Sequence, residues 1–142
     1  MTTIRTVYLG NLRTEATHLA SGSALLTDAP TDNNGRGEAF SPTDLTCASL
    51  GSCMMTIMGI VAARDGVDLK DTQIEITKTM TANPRRIGRI EVRFVLASQV
   101  VLDDTQKEKL QRAALTCPVA LSLHPDIEQE VRFDWNAALQ EK

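Results

Sequence analysis

Between Asp44 and Arg64 the chain runs through LTCASLGSCMMTIMGIVAA without a charged residue, whereas the segments on both sides alternate apolar and polar positions. The two patterns predict different elements. Period-two alternation in IRTVYLG, and in RTEATHLASGSALLTD with its Ser-Gly break, predicts two or three short antiparallel strands in a meander. APTDNNGRGEAF is dense in Pro, Asn and Gly and predicts a loop long enough to carry function. Ser41 fits a helix N-cap, Pro42 the first helical position and Asp44 the third, an acidic variant of the capping box; Gly66 marks the stop. A helix from Pro42 to Arg64 spans about 34 Å at a rise of about 1.5 Å per residue, enough to cross a bilayer. Its many small and hydroxyl residues, including Thr46, Ser49, Gly51, Ser52 and Thr56, and its polar flanks argue instead for a helix buried on every side.

In the second half, DTQIEITKTMTANP and RIGRIEVRFVLASQVV both alternate with period two and predict a long antiparallel pair turning around Asn83 to Gly88, one face wet. LDDTQKEKLQRAALTC offers Asp103 or Asp104 as a cap and Leu110, Ala113, Ala114 and Cys117 at helical spacing, an amphipathic helix. Pro118 disfavours helical backbone at Cys117, so the helix breaks there and PVALSLHP opens a short third one. DIEQEVRFDW alternates again as a closing strand. Strands, long helix, strand pair, helix and strand make an α+β arrangement, expected as a single domain over residues 1–142.

Composition narrows the function classes. At 42% hydrophobic, 23% charged and a net charge of −3, the chain has material for one ordinary core and no basic footprint, so neither nucleic acid nor a membrane is the expected partner. MTTIRTVYLG lacks a basic segment followed by an apolar run, which predicts a cytoplasmic protein. Three cysteines cannot all pair within one chain; in a reducing compartment they read as buried apolar residues, metal ligands or redox groups. No CxxC occurs, and His18 and His124 lack ligand spacing, so no metal is expected. His18 is expected at the surface or capping a strand pair, and His124 at a helix end. GxGxxG, a nucleophile elbow and HExxH are absent from the sequence, and no cofactor is expected.

The thiols differ in setting. Cys53 shares its helical face with Ser49, Leu50, Thr56 and Ile57, a mostly apolar place that by itself makes a thiol inert. It lies about three turns into the helix, beyond the favourable field of the N-terminus, so a reactive Cys53 requires an outside cation. Cys47 stands near Asp44 and reads as a small buried hydrophobe. Cys117, as an N-cap before Pro118, would meet the positive end of a helix, a setting that stabilises thiolate and makes it a candidate second thiol.

FSPTDLTCASLGSCMMTIMGIVAARDGVDL, preceded by LRTEATHLASGSALLTDAPTDNNGRGEA and followed at a distance by ALTCPVALSL, resembles the OsmC/Ohr family of thiol-dependent hydroperoxide reductases. The resemblance covers nearly the whole chain. Its most specific parts are the Ser-Pro opening before Cys53, the LGSC sequence and the Cys117-Pro118 pair. It implies an OsmC-like fold, with antiparallel sheets wrapped around long central helices in an intertwined homodimer, which would explain a helix without charge. It implies that Cys53 attacks an organic hydroperoxide, that Cys117 resolves the resulting sulfenic acid as a disulfide, and that an external dithiol reduces it. It also implies an arginine from the first strands beside the reactive thiol; Arg13 is the best match by position and Arg36 the fallback. Where the family's peroxidases carry a glutamate directly after the helix-opening proline, this chain has Thr43, which leaves Arg13 without that carboxylate. Asp44, next door, reads as the helix cap. Two other readings stand beside this one: a dimeric OsmC-like redox or small-molecule-binding protein that has lost its catalytic partner, and a structural protein with every cysteine buried and unreactive.

Overall fold

In the computed structural model, which describes residues 1–97 and 99–135, the alternating segments are strands and the uncharged stretch is a helix. The order is β1 (Ile4–Gly10), β2 (Arg13–His18), β3 (Ala24–Asp28), α1 (Pro42–Arg64), β4 (Gln73–Thr81), β5 (Arg86–Val95), α2 (Asp104–Leu115), α3 (Pro118–Ser122) and β6 (Glu128–Asp134). The contacts divide the chain into two compact units, Met1–Thr46 and Cys47–Lys142.

The first unit is the expected meander, β1-β2-β3, antiparallel throughout. Register sets Arg13 of β2 opposite Asp28 of β3. Beyond β3 the loop closes on itself: the Asp28 N–H donates to Phe40 O at 3.1 Å and the Gly35 N–H to Pro30 O at 2.9 Å. Glycine is required at position 35, where a Cβ would overlap the Ala29 carbonyl. The buried side chains of this unit are Thr27, Asp28 and Ser41, all polar, while Val7, Tyr8, Leu25, Leu26 and Phe40 are exposed.

The second unit holds the apolar core. One stripe of α1, from Cys47 through Leu50, Met54 and Met58 to Ala62, is buried with Ile90, Val92 and Phe94 of β5 and Leu110 and Ala114 of α2. Gly51 permits the approach of helix to sheet, since a Cβ there would stand 2.6 Å from Ile76 Cδ1 and 3.1 Å from Ile74 Cγ2. In β5 the inward positions step from Ile87 to Ile90 before resuming period two. The cause is a bulge at Gly88, where pairing jumps from Thr79↔Arg89 to Met80↔Ile87, so both isoleucines face the core. β6 lies parallel to β5, reached through α2 and α3, with Phe94, Phe133 and Trp135 stacked at 5.2 and 5.3 Å between ring centres. The predicted strand through Val101 ends at Val95, and Ser98 in its tail lies outside the described residues.

By length and composition α1 is long and apolar enough to cross a membrane, a test that the core helix of a soluble protein also passes. Within the chain it is not buried on every side: its stripe belongs to the core, while Ser49, Ser52, Thr56, Ile60 and Ala63 are exposed. Thr46 and Thr56 satisfy their hydroxyls on the helix itself, donating to Pro42 O at 3.2 Å and Ser52 O at 2.8 Å.

Candidate active site

Cys53 projects from α1, half-buried and packed against the core cluster. Cys117 ends the break between α2 and α3 with extended backbone, φ −67° and ψ 148°, because Pro118 excludes helical geometry there. It is the N-cap of α3, and its Sγ accepts the Ala120 N–H at 3.3 Å. Although far apart in sequence, the two thiols are near enough for Cys53 to act on the titration of Cys117. All three cysteines are reduced.

The N-cap expected at Cys117 is present, but the expected thiolate is not favoured. Burial pushes the Cys117 thiol up, and its contact with Cys53 adds to the rise; the N–H groups of Ala120 and Val119 pull the other way and do not prevail. A short helix supplies two donors, whereas complete burial removes all the water that would solvate the anion. Cys47 is buried beside Leu50 and Met54 in the core.

At the start of α1, Ser41 and Asp44 bond reciprocally: Asp44 N–H to Ser41 Oγ and Ser41 N–H to Asp44 Oδ2, both 3.1 Å. Ser41 is the N-cap and Asp44 its reciprocal partner in the capping box, as the spacing indicates. Thr43 Oγ1 lies 3.2 Å from Ser41 Oγ.

Arg13 is held side-on by a carboxylate that sequence reasoning missed. Its Nε donates to Asp28 Oδ1 and its Nη2 to Asp28 Oδ2, both 2.7 Å. This corrects the expectation that Thr43 leaves Arg13 without an orienting acid. The signal was in the sequence, as an aspartate ending the apolar run of LLTDAP, but only the β2–β3 register shows that it faces Arg13. Asp28 also accepts the Glu38 N–H at 3.1 Å. The Arg13 guanidinium holds the Asp28 carboxyl below the usual carboxylate range against the opposing effect of desolvation, and the same hydrogen bond raises Arg13. Arg36 is exposed in the loop, 3.9 Å from Glu38.

His18 bonds Ser21 Oγ at 2.6 Å in an exposed turn, and His124 accepts the Asp126 N–H at 3.0 Å just beyond α3. Among the described residues no group of three or more His, Cys, Asp or Glu is placed to hold a metal. An open groove of about 490 Å³ runs along Met55, Gly59 and Ala63 of α1 to Val67, Leu69 and Lys70, and Cys53 is not among the residues lining it.

Comparison with known proteins gives this arrangement its class. Residues 35–132 match the OsmC family, described as OsmC-like protein, and the chain belongs to that family. An osmotic stress induced and detoxification response protein from Psychrobacter arcticus 273-4 is 49% identical with a TM-score of 0.90, over 94% of this chain and 96% of that one. The fold is also that of an organic hydroperoxide resistance protein OsmC from Legionella pneumophila, at 17% identity, TM-score 0.72 and coverage of 94% and 98%. An organic hydroperoxide resistance protein from Elizabethkingia anophelis shares it as well, at 13% identity, TM-score 0.71 and coverage of 96% and 98%. No match is found among curated proteins.

Proposed function

We propose that the protein is a thiol-dependent peroxidase for organic hydroperoxides. The observation that carries this reading is the nearness of Cys53 and Cys117, two reduced thiols from distant segments of the chain, one of which acts on the titration of the other. The Cys53 thiolate attacks the distal peroxide oxygen, the O–O bond breaks, and the alkoxide leaves with a proton as alcohol while Cys53 becomes a sulfenic acid. Cys117 then attacks the Cys53 sulfur and water leaves, forming a disulfide; an external dithiol takes both sulfurs back to thiols and is itself oxidised. Burial pushes the Cys117 thiol up, which disfavours it as the thiol that attacks the peroxide and leaves it the second role. The cation that stabilises the Cys53 thiolate and the departing oxygen is assigned to Arg13 by family resemblance, with Arg36 in reserve.

The working form is proposed to be a homodimer. Exposed positions on α1 and the apolar residues left open on the first sheet are the surfaces a second copy would cover. The direct test of function is peroxide consumption with cumene hydroperoxide and dithiothreitol. Wild-type protein is expected to turn over and Cys53→Ser to fall to background; a wild type at background would overturn the proposal.

A further inference from the structure

Cys117 stands between two helices that are held very differently. On its N-terminal side α2 buries Leu110, Ala113 and Ala114. On its C-terminal side α3 has five residues and buries none of them fully, and a helix that short is not stable by itself. Yet α3 supplies the Ala120 N–H that meets Cys117 Sγ at 3.3 Å, so its placement governs where that sulfur sits.

The carbonyls of so short a helix lack helical partners. Three carbonyls here are met locally: the Leu121 N–H donates to Cys117 O at 3.1 Å, Ser122 Oγ to Pro118 O at 2.7 Å and the Leu123 N–H to Val119 O at 3.2 Å. Ala120 O is met from the sheet instead, by Gln129 Nε2 at 3.1 Å. Gln129 lies in β6 beside Ile90 of β5 and shares its strand face with Val131 and Phe133, which pack on the core. An amide on an apolar strand face is costly unless it is bonded, and this one bonds the residue whose N–H meets the thiol.

Resting on the peroxidase reading, we infer that Gln129 is the positioning residue for the resolving thiol. It ties α3 to β6 and so keeps Cys117 Sγ within reach of the Cys53 sulfur once that sulfur is a sulfenic acid. Resolution forms the S–S bond as the S–O bond of the sulfenic acid breaks, and the hydroxyl leaves as water with the proton from Cys117. The geometry is narrow, because the sulfurs must close to about 2.05 Å with the Cα atoms about 4.4–6.8 Å apart. A loosened α3 therefore slows this step and leaves the attack on peroxide, made by Cys53 from α1, unchanged.

Gln129→Leu removes the amide at similar size. With excess cumene hydroperoxide, single-turnover measurements should show sulfenic acid forming at Cys53 within about two-fold of the wild-type rate and the disulfide forming about five-fold more slowly or worse. Mass spectrometry should then find sulfinic acid at Cys53 in the variant, because a sulfenic acid that waits for its partner meets a second peroxide. In a Cys117→Ser background, Gln129→Leu should change the sulfenic acid lifetime by less than about two-fold, since its effect passes through Cys117. The disulfide equilibrium in glutathione buffers needs no peroxide, and there the effective concentration of the two thiols should fall by about five-fold. If Gln129→Leu fails to fold, Gln129→Met takes its place. Disulfide formation at the wild-type rate, or both steps slowed alike, would overturn the inference and leave the peroxidase reading standing. A wild type that forms no sulfenic acid would remove the peroxidase reading, and an unchanged glutathione equilibrium would overturn the positioning in either case.

Discussion

Capping and burial act on Cys117 in opposite directions, and burial prevails. The half-buried Cys53 should therefore be alkylated by iodoacetamide at neutral pH before Cys117 and before the buried Cys47, an order that peptide mass spectrometry of timed samples reads directly. Equal rates at all three would show that burial does not govern their reactivity. The spacing of SPTD was enough to identify the Ser41–Asp44 capping box, because capping is local. Asp28 was not legible in the same way, since its partner is chosen by strand register. Its carboxyl is held below the ordinary value near pH 4, so the stability it contributes is complete above that value and is lost as pH falls through the lower folded value. Thermal midpoints of the wild type should accordingly drop on acidification below about pH 4, and those of Asp28→Asn should drop less over the same window. Parallel curves would remove Asp28 from the account of acid stability.

At the level of elements, Gly51 shows how a helix-weakening residue is retained. Glycine inside a helix costs roughly 1 kcal/mol relative to alanine. The space here is closed by Ile74 and Ile76, so the usual remedy of adding a side chain presses α1 away from β4. Gly51→Val should destabilise the protein by about 1–3 kcal/mol, read as a lower urea midpoint with unchanged slope. A midpoint at or above wild type would show that the helix–sheet contact is not tight. The bounds of α1 were legible to the residue, because a Ser-Pro start and a Gly stop bracket one uninterrupted pattern. The meander, the β4–β5 pair and both shorter helices were legible for the same reason, each being built from contacts near in sequence. The parallel pairing of β6 with β5 was not, because a strand's own alternation does not name its neighbour. Nor was the end of the second long strand, where apolar residues continue beyond Val95 without continuing the ladder.

For the molecule as a whole, the open surfaces and the proposed chemistry lead to separate tests. The first unit buries only polar side chains and leaves Val7, Tyr8, Leu25, Leu26 and Phe40 exposed, while α1 keeps an uncharged outer face. Such surfaces are rare on a stable monomer, so sedimentation at micromolar concentration should give twice the chain mass, and a folded monomer would remove the homodimer. Family membership was legible in the LGSC and Cys-Pro motifs, whereas the orienting acid of Arg13 emerged only from the fold. In the proposed cycle two thiols, and not three or one, carry the reaction. It is tested most directly by treating the reduced protein with one equivalent of organic hydroperoxide, blocking the remaining thiols and mapping the peptides. The expected product is a disulfide between Cys53 and Cys117 with Cys47 recovered as the blocked thiol; a bridge that includes Cys47, or oxidation that stops at Cys53 without a bridge, would overturn the two-thiol cycle.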